Sequence, residues 1–89
     1  MNEFFDELGT LFVNAAKKRG ATIEKPMLDP KISDALLELA KVVSHTRERM
    51  FAPLACYIAG LAAEDASKQT KIDIADFVKE VRVALETKT

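Results

Sequence analysis

His45, Arg47 and Arg49 fall within a five-residue stretch just before Pro53 and form the best polar constellation in the chain, beside a Pro-started helix. A histidine doing general acid–base work needs a substrate within reach and usually an orienting carboxylate. Glu48, three residues on, could supply that carboxylate if the turn continued, while Arg47 and Arg49 would disfavour the imidazolium. The plainer role for His45 is to close the helix before it, where a histidine is favourable. The two arginines lie beside a helix start and could hold an anion or a nucleotide phosphate together with its free N–H groups. They could equally be a solvated link. His45, Arg47 and Arg49 are therefore the candidate ligand- or anion-binding residues, and no catalytic set is assigned.

Metal chemistry fails on ligand count. A zinc site takes about four His, Cys or carboxylate ligands at close spacing, whereas this chain has one histidine and one cysteine, on different elements. Glu64, Asp65 and Asp73 do not follow a calcium-loop pattern. Gly9, Gly20 and Gly60 are isolated, so there is no glycine-rich phosphate loop. Cys56 is expected to pack as a small hydrophobe. Neither a metal nor a cofactor is implied, and enzymatic activity by this chain alone is not expected.

The 89 residues make a single domain, 1–89. Apolar residues form 48% of the chain, too many for disorder. Thirteen basic against 14 acidic side chains leave a net charge of −1, so no global field draws it to nucleic acid or to an acidic membrane. The single cysteine needs no oxidising compartment. Glu3, Asp6 and Glu7 interrupt the N-terminal apolar residues, so no signal peptide is read there. The longest apolar-rich run, Met50 to Ala63, falls short of the ~20 residues that span a bilayer. A cytoplasmic protein is the plain expectation.

Four helices are expected to position these groups, at about 3–19, 30–45, 50–64 and 73–86. In the first, Phe4, Phe5, Leu8, Leu11, Phe12, Ala15 and Ala16 share one face. Acidic residues open this helix, basic ones close it, and Gly20 stops it. Gly9 in its interior suggests close approach of a neighbouring helix. Asp29-Pro30 starts the second helix, whose stripe is Ile32, Ala35, Leu36, Leu39, Ala40 and Val43. Leu37 falls off that stripe. Residues 65–71 read as a polar loop. Asp73, with Asp76 three residues on, caps the fourth helix, whose apolar face is Ile74, Phe77, Val78, Val81, Ala84 and Leu85 with Val83 opposite. The tail from Thr87 to Thr89 is expected to fray. No strand-like alternation occurs, so the fold class is all-α, a compact four-helix bundle.

Pro53 forces a break or restart of the helix near 46–50, because its ring would clash with the carbonyl of Arg49 in a continuous one. The third helix then has two faces. Phe51, Leu54, Tyr57, Ile58 and Leu61 project to one side; Ala52, Ala55, Cys56, Ala59 and Ala63 project to the other, with Gly60 beside them. Such a helix is expected to be sandwiched, one neighbour interdigitating with the large side chains and another lying close over the alanines. It is too apolar to be a DNA-recognition helix, and the fourth helix alternates Lys79, Glu80, Arg82 and Glu86. DNA binding is thus a weak alternative.

The segment from Leu37 to Ala63 resembles a short, uncharacterised bacterial helical family. The matching positions are Leu39-Ala40, Val43-Ser44-His45, Glu48-Arg49, Ala52-Pro53-Leu54 and Ala59-Gly60-Leu61-Ala62. Ser44 stands where the family usually has Ala, and Met50 where Pro is common. Members of that family often follow the nucleotidyltransferase domain of molybdopterin-guanine dinucleotide biosynthesis proteins, or stand alone. The resemblance implies an accessory role near molybdenum-cofactor synthesis. Taken with the surplus of apolar residues, the leading expectation is a non-enzymatic helical module that binds a protein partner or itself, with no nucleic acid and no membrane. The alternative is a small anion- or nucleotide-binding module at the His45/Arg47/Arg49 junction.

Overall fold

A computed structural model describes residues 3–88. The chain is all-α, with four helices and no strand among the described residues: α1 Glu3–Lys18, α2 Pro30–Thr46, α3 Phe51–Gln69 and α4 Ile74–Thr87. It divides into two compact units, Met1–Pro30 and Lys31–Thr89.

In the first unit, Gly20 ends α1 from the left-handed region at φ 81°, which a side chain rarely adopts. Its N–H donates to the Lys17 carbonyl at 3.0 Å and the Ala21 N–H donates to the Ala16 carbonyl at 2.9 Å, the paired bonds of a Schellman stop. The chain then returns along α1. A Cβ on Gly9 would sit 3.0 Å from the Pro26 carbonyl oxygen and 3.2 Å from Lys25 Cγ. The close neighbour at Gly9 is thus the irregular segment after α1 rather than a helix, and the Lys25–Asp6 ion pair joins the two at 2.6 Å.

In the second unit the buried centre is Leu39 and Val43 of α2 with Val78 of α4. Ala35 and Leu36 of α2, Ala55 and Ala59 of α3, and Ile74 and Leu85 of α4 pack against it. These are the stripes that helical periodicity selects, and Leu37 and Val83, off those stripes, are exposed. Val81 and Ala84 of the expected α4 face are exposed as well. Asp73 caps α4 as expected, its carboxylate accepting the Asp76 N–H at 3.0 Å. The helix continues to Thr87, where a frayed tail was expected to begin; Thr89 lies outside the described residues.

One expectation for α3 is corrected. The helix runs to Gln69 instead of ending near 64, so most of the expected polar loop is helical. Glu64, Asp65, Ser67, Lys68 and Gln69 are a solvated helix face rather than a connection. Ala62, Ala63 and Ala66 favour the helix between them, and Glu64 and Lys68 pair weakly across one turn at 3.8 Å. Ala52 and Ala63 are buried and Ala55 and Ala59 face the core, but the large side chains opposite are exposed.

Two substitutions should stabilise the fold. A Cβ on Gly60, in mid-α3, would meet nothing within 4 Å. Gly60→Ala should therefore add about 0.5–1 kcal/mol in urea unfolding through helix propensity alone. Ser33, in the first turns of α2, is buried and its hydroxyl has no hydrogen-bond partner. Ser33→Ala removes that unsatisfied group and should add about 1 kcal/mol by the same measurement.

Candidate functional site

The junction between α2 and α3 is built from backbone hydrogen bonds. The Thr46 hydroxyl donates to the Val42 carbonyl at 2.7 Å and the Arg47 N–H to the Val43 carbonyl at 2.9 Å, closing α2. The chain turns through Glu48 and Arg49, whose carbonyls accept from Phe51 and Ala52 at 3.0 and 3.1 Å. Met50 caps α3 without a side-chain hydrogen bond. Pro53 is the third residue of α3, where a helix N–H has no partner within the helix, so its missing donor costs nothing.

This junction separates the three candidate residues. His45 lines a shallow groove of about 380 Å³ between α2 and α4, with Glu38, Lys41, Val42, Thr46, Arg82 and Glu86. Arg82 donates to Glu86 at 2.6 Å. Two acidic and two basic side chains balance each other there, which leaves little net field for an anion. Neither Arg47 nor Arg49 lines the groove. Arg47 folds back to donate to the Thr46 carbonyl at 3.0 Å, and Arg49 lies exposed in the turn. The meeting of His45 with Arg82 and Glu86 escapes sequence spacing because the pair comes from another helix.

A second groove, about 340 Å³ and mainly apolar, lies within the first unit. Phe5, Leu8 and Phe12 of α1 line it with Pro26, Met27 and Leu28. Its signal in the sequence is the cluster of apolar residues in an otherwise irregular segment. Among the described residues, no group of three or more His, Cys, Asp or Glu side chains could hold a metal ion.

Cys56 sits on the alanine side of α3, its thiol donating weakly to the Leu36 carbonyl at 3.8 Å. Burial raises its pKa above the ordinary thiol value. The thiolate is the reactive form, so alkylation near pH 8 should be slower in the folded chain than in urea. Equal rates would contradict this placement.

The outer face of α3 is apolar and exposed. Phe51, Leu54, Tyr57, Ile58 and Leu61 are between 43% and 68% exposed, and Met50 just before them is 70% exposed. Isolated exposed apolar residues are ordinary, but here five of them share one face of α3 and Met50 extends the stripe at its start. A family model described as a domain of unknown function (DUF6457) matches residues 2–89. The chain belongs to that family. No curated protein and no solved structure matches it. In this DUF6457 chain no helix among the described residues is long and apolar enough to cross a membrane.

Proposed function

We propose that the chain is a non-enzymatic helical module that works by protein association through the outer face of α3, in an accessory role to a molybdenum-cofactor nucleotidyltransferase. The observation that carries the association is the exposed stripe from Met50 to Leu61, backed by a helix whose alanines are already used in the core. Covering an apolar side chain that is now wet contributes about 1.5–3 kcal/mol when burial is complete, so a partner on this face is favoured. The setting rests on the resemblance of residues 37–63 to modules that accompany the transferase of molybdopterin-guanine dinucleotide synthesis. The experiment combines light scattering of the chain with its titration against such a transferase domain, in the wild type and in the double variant Leu54→Glu/Ile58→Glu. Association that the double variant abolishes, with helix content unchanged, supports the reading. A wild-type chain that neither self-associates nor binds the transferase overturns it.

A further inference from the structure

We infer that the occupant of the α3 face is a second copy of this chain, the two α3 helices pairing antiparallel about a two-fold axis near Tyr57; this rests on the association reading above.

Three observations fit a helix as that occupant, and charge makes it a second copy. Met50, Leu54, Tyr57 and Leu61 are spaced by four, three and four residues, the alternation of a coiled-coil seam, with Phe51 and Ile58 on its flank. The seam points away from the core, because the alanines of the opposite side pack against α2 and α4. Its apolar side chains expose on the order of 600 Å² per chain, so pairing two copies buries at most roughly 1,200 Å², the low end of the range for stable interfaces.

Charge then selects the orientation. Arg47 and Arg49 stand at the N-terminal end of the seam, and Glu64 and Asp65 follow its C-terminal end. Glu48 and Lys68 offset one charge at each end, leaving the first end net positive and the second net negative. A two-fold interface presents the same patch twice. Antiparallel pairing sets each basic end against the acidic end of the other copy and opposes the two helix dipoles. Parallel pairing would stack like charges at both ends. With the axis near Tyr57, Arg49 lies across from Asp65 of the second copy, Leu54 from the Gly60–Leu61 turn, and Tyr57 from its own counterpart.

The test uses the full chain. Sedimentation over micromolar to submillimolar concentration should show a monomer–dimer equilibrium, and Leu54→Glu/Ile58→Glu should leave only monomer with unchanged helix content. Asp65→Lys should weaken the dimer about two- to fivefold at low salt, and Arg49→Glu added to it should restore the loss. Orientation is read by oxidative cross-linking in a Cys56→Ala background. Tyr57→Cys should link to itself, whereas Met50→Cys should link to Glu64→Cys in a mixture but not to itself. Self-linking of Met50→Cys overturns the antiparallel arrangement. A wild-type chain that stays monomeric overturns the second copy as occupant. If that monomer still binds the transferase through α3, the association reading survives; if it binds neither, both fall.

Discussion

Leu39→Ala is expected to cost about 2–4 kcal/mol in urea unfolding followed by far-ultraviolet circular dichroism. Leu39 is 3% exposed, and with Val43 and Val78 it forms the buried centre of the second unit. Truncation removes the transfer free energy of the side chain and leaves a hole bordered by α2, α3 and α4. A domain of this size has a total stability of order 5–10 kcal/mol, so the variant should lose a large part of it. Leu37→Ala, two positions away on the same helix, is the control. Leu37 is exposed, so the change should fall within about 0.5 kcal/mol. Similar costs at both positions would mean that α2 packs in a different rotation.

Ala63→Leu should be the most damaging enlargement in α3, costing about 1–3 kcal/mol through overpacking. Ala63 is 5% exposed, leaving no room for a branched side chain without moving the backbone or its neighbours. Leu54→Ser on the opposite face should cost the monomer about 0.5 kcal/mol or less, although it removes a larger apolar group. The reversal of the usual order, a gain in hydrophobicity that harms and a loss that does not, is the signature of this helix. Thermal melts of both variants at low protein concentration would measure it.

Much of this was legible in the residues, because helical periodicity is a strong signal over long segments. It picked out Leu39, Val43 and Val78, excluded Leu37 and Val83, and placed the Asp73 cap. The end of α3 was not legible. Glu64 to Gln69 is polar, and polarity alone does not separate an exposed helical turn from a loop. The large face of α3 was assigned a neighbour because bulk implies burial in most small domains, and the structure exposes it. Gly9 correctly marked a close approach, but spacing cannot say whether a helix or an irregular stretch of backbone arrives there. The candidate trio separated for a related reason. Positions 45, 47 and 49 straddle a chain turn, so neighbours in sequence lead in different directions, while His45 meets Arg82 and Glu86 from a helix about forty residues on.

Val78 and Leu39 are the deepest large side chains described, and none of the described side chains is fully sealed from solvent. Unfolding the isolated chain therefore uncovers comparatively little new hydrocarbon. Its heat-capacity increment should lie at or below the low end of about 12–15 cal/mol/K per residue, and its denaturant dependence should be shallow. The stability curve of such a protein is broad and low, changing little between cold and warm. Association on α3 would steepen it, since melting would then strip both the core and the seam of their dry contacts at once.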